Sequence, residues 1–473
     1  MLGQANTASV LVVKKYISRE MGYMKKKVLS VLLSAAMLTA FAAGCKKNDG
    51  GDGAKEIYFL NFKPEIEDKY KAIAEVYKKE KGVTVKVVTA AGGTYETTLK
   101  SEMNKSEPPT IFQINGPVGY QSWKDYTADL KDTELYKTLL DKSMAVTDGD
   151  GVYGIPYVVE GYGIIYNDAI MKKYFALSDK AVSINSAEEI NNFDTLKKVV
   201  EDMTKHKDAL GIKGVFASTS LGAGEQWRWQ THLANMPLFY EFKDKAGANG
   251  NVILTGLDAK EIEFKYSDNY KNIFDLYINN SITDSKLLGS KSVADSMAEF
   301  ALGEVAMVQN GNWAWSQISG VSGNTVKEED IKFLPIYTGV SGEEKQGLAI
   351  GTENYFAINK KVSEEKQKLS IEFLEWLFGS QKGKEFVTKD LGFIAPFNTF
   401  GDNEKPSDPL AKEVLRWMEK DGVESVTWTF QAFPSEDFKN YFGDALLQYA
   451  QGKNTWDDVK KVVIDKWASE KAK

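Results

Sequence analysis

Hydrophobic residues follow strand and helix periods in alternation from residue 55 onward. In chain order, the first predicted elements are a strand over Glu56–Leu60, a helix with Tyr70, Ile73, Ala74 and Tyr77 on one face, a strand with Val83, Val85 and Val87, a helix over Thr94–Asn104 and a strand over Thr110–Ile114. This alternation is typical of right-handed βαβ units around a parallel sheet. Such sheets bind ligands beyond the carboxyl ends of their strands, which here lie at residues 61–63, 92–96 and 115–120.

The same two periods continue to the C-terminus, without an internal repeat. Further helical faces are predicted within 196–203, 270–277, 293–301 and 369–377, together with a strand over Val305–Val308 and two final helices that begin near Ser435 and Trp456. No linker rich in proline or glycine divides this region. Two lobes joined by a single linker would show one, whereas lobes joined by several strand crossings need none.

The composition excludes several classes of protein. Of the 473 residues, 43% are hydrophobic and 12% aromatic, which is too apolar for a disordered chain. A single cysteine excludes a disulfide scaffold, and two histidines are too few for most zinc or triad chemistry. We interpret His206 and His232 as structural or surface residues, and we expect no cofactor and no metal. The 10 Trp, 22 Tyr and 24 Phe exceed what a core requires, which indicates an aromatic binding surface.

The N-terminal segment has the pattern of an export signal. Met24 and three lysines precede sixteen uncharged residues, Val28 to Ala43, which is shorter than the ~20 residues of a spanning helix. Ala42-Ala43-Gly44 then precede Cys45, and this arrangement resembles the lipobox of bacterial lipoproteins, with Ala42 in place of the usual leucine. We expect translation to start at Met24, residues 1–44 to be an extension and signal peptide, and Cys45 to carry lipid rather than be a buried thiol.

The charge balance changes once residues 1–44 are set aside. They hold six basic side chains and one acidic one, so the net charge of −7 for the whole chain becomes −12 for the remainder. An acidic chain disfavours nucleic acid or anionic lipid as a partner. The polar, glycine-rich residues 45–54 are predicted to tether an exported body to the lipid on Cys45.

Five stretches together resemble one protein family. They are Ala91–Glu96, Pro108–Phe112, Ala298–Trp315 (AEFALGEVAMVQNGNWAW), Phe373–Phe378 and Gly392–Pro396. In this order they are similar to the extracellular sugar-binding proteins of bacterial ABC importers, the maltose-binding-like group, over nearly all of residues 55–470. Gly151–Asn167 adds an extended segment whose apolar residues run straight through a Glu-Gly-Tyr-Gly interruption.

The resemblance implies a two-lobed α/β clamp of the periplasmic binding protein type (type II-like), with mostly parallel sheets, helices on their faces and a hinge of several crossings. It implies crossings near Val158–Glu160 and Ala349–Tyr355, and a return near Gly392–Pro396. Lobe 1 would comprise residues 55–158 and 353–391, and lobe 2 residues 159–352 and 392–473. A monomer of this kind binds sugar between its lobes, closes, and docks on membrane permease subunits.

Candidate ligand residues follow from the resemblance and from their positions. In the family, the position of Trp313 stacks on sugar, that of Glu160 supplies a cleft carboxylate, and that of Trp428 a late aromatic platform. Other candidates lie at predicted strand ends, helix starts or crossings: Tyr95, Glu96, Asn115, Trp227, Trp229, Asn310 and Asn354. We expect only one of Trp227 and Trp229 in the cleft. Each candidate also has a structural interpretation, such as core packing for Trp313 or helix-dipole stabilisation for Glu96.

Two other functions remain open from the sequence. An exported glycoside hydrolase would share an aromatic cleft, and Glu96 with Glu160 would then be its carboxylate pair. The same clamp would also suit a solute other than sugar, although few clustered cations disfavour phosphate or another anion. A sugar receptor fits best, because pyranose C–H faces stack on aromatic rings while hydroxyls bind carboxylates, amides and arginine.

Overall fold

Two sheets flanked by helices form the framework of the protein. The computed structural model describes residues 55–91, 93–248 and 250–473. The predicted signal segment, Cys45 and the tether lie outside these residues. None of the helices in the described part of the chain has the length and apolar character that a membrane crossing requires.

The strands fall into two groups. They are β1 Glu56–Asn61, β2 Thr84–Thr89, β3 Ile111–Ile114, β4 Val146–Asp148, β5 Gly151–Pro156, β6 Glu160–Asn167, β7 Gly214–Phe216, β8 Val305–Gly311, β9 Ile331–Leu334, β10 Gln346–Gly351, β11 Tyr355–Ile358 and β12 Glu424–Thr427. The first sheet has the order β2-β1-β3-β11-β5-β4, and the second has the order β12-β10-β6-β8-β7, with β9 also paired to β6. Each sheet and its helices form one lobe, called lobe 1 and lobe 2 below.

The helices cover both faces of the sheets. They are α1 Glu67–Lys81, α2 Tyr95–Met103, α3 Gly116–Trp123, α4 Glu134–Thr138, α5 Asp168–Phe175, α6 Phe193–Lys205, α7 Lys207–Leu210, α8 Ala234–Ala246, α9 Val252–Asp258, α10 Ser267–Asn279, α11 Val293–Ala301, α12 Trp315–Ser319, α13 Glu364–Gly379, α14 Gln381–Glu385, α15 Pro409–Met418, α16 Glu436–Ala450 and α17 Trp456–Lys471. Helix α1 ends as its sequence predicts: Gly82 takes a left-handed conformation with φ 70° and closes the last turn.

The prediction of mostly parallel sheets is wrong, because both sheets are mixed. Strand β1 pairs in parallel with β2 and β3, as the βαβ pattern predicts. Strand β11, however, is antiparallel to β3 and β5, and β6 is antiparallel to β8, β9 and β10. The alternation of strands and helices therefore predicts the start of lobe 1 correctly and fails where the chain leaves that lobe.

The antiparallel pairs have a simple cause in the chain path. Residues 157–159 lead from β5 in lobe 1 to β6 in lobe 2, and residues 352–354 lead back from β10 to β11. The two connections run in opposite directions, so β5 pairs antiparallel with β11, and β6 with β10. A third segment lies beside them, since the backbone N–H of Val159 donates to the carbonyl oxygen of Ile394 at 2.8 Å.

Each sheet is buried on both faces. Along β1, Ile57 and Phe59 belong to one hydrophobic cluster and Tyr58 and Leu60 to another, as the alternation of side chains in a strand requires. All eight residues of β6 are buried, which marks it as a central strand of lobe 2.

Candidate functional site

A buried ion pair joins the two lobes. Lys63 follows β1 in lobe 1, and Glu160 is the first residue of β6 in lobe 2. The Lys63 Nζ lies 2.6 Å from Glu160 Oε1, and the two residues are only 5% and 2% exposed. Burial alone would lower the pKa of Lys63, but the carboxylates of Glu160 and Glu65 raise it above its ordinary value.

Aromatic rings converge next to this pair. We define the aromatic cluster as Tyr162, Trp227, His232, Trp313 and Trp428. The Trp313 ring is half-buried, and its centroid lies 6.1 Å from that of Trp227 and 5.4 Å from that of His232. The Lys63 ammonium is 5.8 Å from the Trp313 centroid. The ring that the resemblance implies for sugar stacking thus lies beside the ion pair that links the lobes.

The local sequence explains the position of Trp313. Strand β8 ends at Gly311, and residues 312–314 form a 3-10 turn. An ideal Cβ on Gly311 would lie 2.2 Å from the Trp313 ring, so only glycine leaves room for the indole. The side chain of Asn312 accepts a hydrogen bond from the backbone N–H of Gly161 at 3.0 Å, which fixes the turn against β6.

The inner wall of the cluster is fully buried. The His232 and Tyr162 rings stack with centroids 4.4 Å apart and planes 13° apart. Trp428 lies 5.4 Å from Tyr162, and its indole nitrogen has no hydrogen-bond partner among the described residues. An ideal Cβ on Gly351 would lie 2.6 Å from the Trp428 ring, so the Gly351 backbone in β10 packs closely against that indole.

Other contacts also bridge the lobes. Gly93, with φ 71°, approaches Gly224 so closely that an ideal Cβ would lie 2.7 Å from the Gly224 carbonyl oxygen. The Tyr355 hydroxyl in β11 donates to Gln431 Oε1 at 3.2 Å, and Gln431 Nε2 donates to the carbonyl of Thr352 at 2.6 Å. These contacts describe lobes that are closed on each other.

Several buried polar atoms near the crossings or around the aromatic cluster have no hydrogen-bond partner among the described residues. They are Asn115 Oδ1, Gln226 Oε1, Gln309 Oε1, Asn354 Nδ2, Trp428 Nε1 and the three side-chain nitrogens of Arg228. Buried polar groups are normally satisfied, and an unsatisfied one costs ~1–3 kcal/mol. Donors and acceptors are both present, so together they can bind a ligand that both donates and accepts hydrogen bonds.

Burial shifts the pKa of the ionisable groups here. The pKa of His232 falls well below its ordinary value because of burial and of the charges on Arg228, Lys439 and Lys63, so its imidazole is neutral. Burial raises the pKa of Glu353, at the second crossing, to about 7. It also raises the pKa of Glu96, whose carboxylate accepts a hydrogen bond from the Trp123 indole at 3.2 Å.

Three predicted ligand residues are used inside a lobe instead. Trp229 is 1% exposed, and its indole N–H donates to the carbonyls of Thr219 and Ser220. The Asn310 amide contacts Met297 Sδ and the backbone of Gly311. The Tyr95 hydroxyl accepts from the backbone N–H of Gln113 at 2.7 Å. Each of these three side chains thus packs or bonds within its own lobe in this structure, and its role as a ligand residue stays a prediction.

The conformation around Trp227 explains why Trp229 lies in the core of lobe 2. An extended segment would put both rings on one face, but Arg228–Leu233 forms a π-helical turn that Trp227 precedes. The turn directs Trp229 towards Phe274 and Tyr277 in the core, while Trp227 reaches His232 and Trp313. Of the two rings, Trp227 is therefore the one that lies in the aromatic cluster.

Sequence reasoning missed Lys63, Arg228 and His232 as members of the site. The sequence does contain an indication for Lys63, which lies in the predicted crevice segment 61–63, and for Arg228, which lies between two tryptophans. It contains no indication for His232, since a single histidine without a partner at ligand spacing is more often structural. In the described part of the chain no group of His, Cys, Asp and Glu side chains is arranged to hold a metal ion.

Comparisons with known proteins agree with this architecture. A family model described as bacterial extracellular solute-binding protein matches residues 72–413, a stretch that includes strands of both sheets. No curated protein matches the sequence at a significant level.

Solved structures share the fold at low sequence identity. A chitin oligosaccharide binding protein is 18% identical, with a TM-score of 0.67, over 89% of this chain and 100% of that one. RafE in complex with raffinose is 17% identical, with a TM-score of 0.64, over 88% and 99%. Maltose-bound MalE3 of T. maritima is 15% identical, with a TM-score of 0.64, over 88% and 99%. The matched stretch, the two mixed sheets and the crossings between them lead to one assignment: the chain belongs to the bacterial extracellular solute-binding protein family.

Proposed function

We propose that this protein is the carbohydrate receptor of an ABC importer. It captures a sugar or oligosaccharide between its lobes, closes around it and delivers it to the permease subunits in the membrane. The observation that carries the proposal is the half-buried pair Trp227 and Trp313, 6.1 Å apart beside unpartnered buried polar groups. The sugars held by structurally similar proteins, namely raffinose, maltose and chitin oligosaccharide, support it.

The chemistry of a pyranose matches these residues. Its C–H-rich face stacks on an indole ring, which replaces poorly bound water by apolar contact. Its hydroxyls both donate and accept, so they suit the free donor on Asn354 and the free acceptors on Asn115, Gln226 and Gln309. We assign ligand contacts to Trp313, Trp227 and Asn115, with Trp428, Glu96, Glu160 and Asn354 lining the same junction.

We propose that lobe motion accompanies capture and release. The lobes comprise residues 55–158 with 353–391 and residues 159–352 with 392–473, and the crossings at 157–159 and 352–354 serve as the hinge. A few residues at such a hinge absorb the change in φ and ψ while each lobe moves as a rigid body. The four hydrophobic clusters support this, because their buried residues respect these boundaries apart from Phe393 and Phe397, which lie near the third segment and pack in a lobe 1 cluster.

A lipid anchor would hold the receptor at the outer face of the cell membrane. Cys45 is the only cysteine, and it follows an apolar segment and precedes a polar tract. We propose that it carries the lipid and that the protein acts as a monomer. Both proposals fit a receptor that must release its ligand to a permease in the same membrane.

Thermal unfolding in the presence of a glycan library tests the proposed function. A ligand at 100 times its dissociation constant stabilises the native state by about 2.7 kcal/mol, which raises the melting temperature measurably. We expect one group of related saccharides to produce such a shift, and amino acids, peptides and phosphate to produce none. A shift from one of these other solutes, with none from any saccharide, would contradict the proposal.

The alternative function, an exported glycoside hydrolase, has one observation in its favour. The pKa of Glu353 is about 7, which suits a general acid, and the charge of Glu160 acts on it. Glu160, however, is bound to Lys63. Hydrolases also need two carboxyl groups about 5–5.5 or 6.5–9.5 Å apart on either side of a glycosidic bond.

Incubation with the saccharides that bind separates the two functions. A receptor returns the saccharide unchanged, whereas a hydrolase releases shorter products with a free reducing end. Product formation that disappears in the Glu353→Gln variant would overturn the receptor proposal.

A further inference from the structure

Arginine is rare in this chain, and one arginine is completely buried. The sequence contains three arginines, Arg19, Arg228 and Arg416, among 59 basic residues. Arg416 is partly exposed and forms two hydrogen bonds with Glu413. Arg228 is 0% exposed. Lysine supplies nearly every other positive charge in this chain. Arginine has the same charge as lysine but a planar guanidinium group, so its use at position 228 points to a role for that group.

The Arg228 guanidinium lacks a partner, unlike the other buried cations of the junction. Lys63 pairs with Glu160, and Lys439 pairs with Glu436, both at 2.6 Å. None of the three Arg228 side-chain nitrogens has a hydrogen-bond partner among the described residues. Glu225 is the nearby acid that acts on its pKa, but the Glu225 carboxylate binds the backbone N–H of Val293. A buried cation without a partner is costly, and burial lowers the pKa of Arg228 to about 9.

The position of Arg228 connects it to the aromatic cluster. Its guanidinium carbon lies 4.1 Å from the centroid of the Trp227 ring, and Trp227 contacts His232 and Trp313. The charge of Arg228 also acts on His232, as does that of Lys63 from the other lobe. The guanidinium therefore lies against the ring cluster and is not isolated inside lobe 2.

Two unpartnered acceptors belong to the same region. Gln309 donates from Nε2 to the Arg228 carbonyl oxygen at 2.8 Å, and its Oε1 is buried without a partner. Gln226, two residues before Arg228, also has a buried and unpartnered Oε1. An anionic group with hydroxyl neighbours would satisfy the guanidinium donors and these amide acceptors together.

On the basis of the proposed carbohydrate function, we infer that the ligand is an acidic saccharide whose carboxylate, as in a uronic acid, binds Arg228. The guanidinium fork matches a planar carboxylate with two parallel hydrogen bonds. A carboxylate also carries the single negative charge that one unpaired arginine compensates. The pyranose ring would stack on Trp313 or on the free face of Trp227, with the hydroxyls beside the carboxylate donating to Gln226 and Gln309.

Calorimetric titration of the native protein tests the inference directly. The probes are trisaccharides of galacturonate, glucuronate and mannuronate, each compared with its methyl ester, which removes the charge and keeps the sugar. We expect at least one acid to bind roughly tenfold or more tightly than its ester, since hydrogen bonds to charged groups are the stronger ones. Sulfated trisaccharides of the corresponding neutral hexoses, galactose, glucose and mannose, present a negative charge in a tetrahedral group, and we expect them to bind less tightly than that acid.

Variants at Arg228 then locate the preference. Arg228→Gln should reduce the preference of acid over ester to within about threefold, and Arg228→Lys, which keeps charge without the fork, should retain part of it. Arg416→Gln is the matched control and should retain the full preference. Thermal unfolding shows whether each variant folds. If Arg228→Gln does not fold, the comparison of acid with ester in the native protein still tests the inference.

The possible failures are distinguishable. If the native protein binds neutral saccharides and shows no preference for any acid, or prefers the sulfates, the inference is wrong and the carbohydrate function stands. If the preference survives in folded Arg228→Gln, Arg228 is not the carboxylate partner. If neither acids nor neutral saccharides bind, the carbohydrate function itself fails.

Discussion

The Lys63 ammonium lies 2.6 Å from the carboxylate of Glu160, and this ion pair connects the end of β1 in lobe 1 to the start of β6 in lobe 2. The two residues are 97 positions apart in sequence and both are buried. A pair in this position stabilises closed lobes as long as both charges remain, because each charge compensates the desolvation of the other.

Replacing Lys63 by methionine should leave Glu160 as a buried charge without its partner. We expect the free energy of unfolding to fall by about 3–5 kcal/mol, or the lobes to separate so that water reaches the carboxylate. Urea unfolding measures the first effect and small-angle scattering the second, as a larger radius of gyration. Lys71→Met removes an exposed pair with Glu67 and should change the free energy of unfolding by less than ~0.5 kcal/mol. Equal behaviour of the two variants would show that the buried pair does not hold the lobes.

Replacing Trp313 by alanine should weaken saccharide binding. Loss of the stacked indole removes about 1–3 kcal/mol of apolar contact, which corresponds to a roughly 5- to 150-fold weaker dissociation constant. Calorimetric titration measures the affinity, and the tryptophan fluorescence change that ligand induces in the native protein should disappear in the variant. Trp315→Ala is the control, because that ring packs against the core of lobe 2 and not against the aromatic cluster. It should lower stability and leave affinity unchanged; unaltered affinity in Trp313→Ala would exclude the stacking role.

Glu353 should make the folded state less stable as the pH rises. Burial raises its pKa from 4.5 to about 7, so between these values the folded state binds more protons than the unfolded state, and stability falls with pH. Glu353→Gln removes this effect. We expect the variant to unfold at similar urea concentrations to the native protein at pH 4.5, and to be more stable by up to about 3 kcal/mol at pH 8. Glu344→Gln, at an exposed position, should show no such dependence. A constant difference between Glu353→Gln and the native protein across this range would contradict the assignment.

His232 should produce the opposite dependence on pH. Its pKa in the folded state is well below the ordinary value of 6.5, so the unfolded state binds more protons below pH 6.5 and stability falls as the solution becomes acidic. His232→Gln should flatten the loss of unfolding free energy between pH 7 and pH 5.

The second histidine serves as the internal control for this experiment. Asp202 and Asp179 raise the pKa of His206, so this residue favours the folded state below pH 6.5 and that contribution is lost as the pH rises. His206→Gln should therefore steepen the loss of stability in acid. If His232→Gln also steepens the loss of stability in acid, the environment assigned to His232 is wrong.

Replacing Cys45 by serine should release the protein from the cell membrane. The thiol is the proposed attachment point of the lipid, and a buried acyl chain contributes about 0.8 kcal/mol per CH₂ to membrane binding. Fractionation of the producing cells measures the distribution between membrane and medium. Lys46→Ser, at the neighbouring position, should stay with the membrane, and retention of Cys45→Ser there would contradict the anchor.

Local pattern was sufficient for several helices and strands. The face of α1 that holds Tyr70, Ile73 and Tyr77 is buried as predicted, because residues three and four apart lie on the same side of a helix. Helix α2 differs from its prediction by one residue at each end. The strand directions in the sheets were not predictable in this way, since they depend on the two crossings that run in opposite directions between the lobes.

The features of the candidate site also separate into those that local sequence predicts and those that depend on tertiary structure. The sequence by itself determined many of the elements, the family and the presence of aromatic residues such as Trp227 and Trp313 next to predicted strand ends and turns. Only the tertiary structure decided that Trp229 packs in the core, that Lys63 reaches Glu160, and that the buried guanidinium of Arg228 has no hydrogen-bond partner among the described residues. The physical reason is that periodicity reports which side of its own helix or strand a residue lies on, whereas burial and charge pairing depend on groups that are distant in sequence and are brought together by the closed lobes.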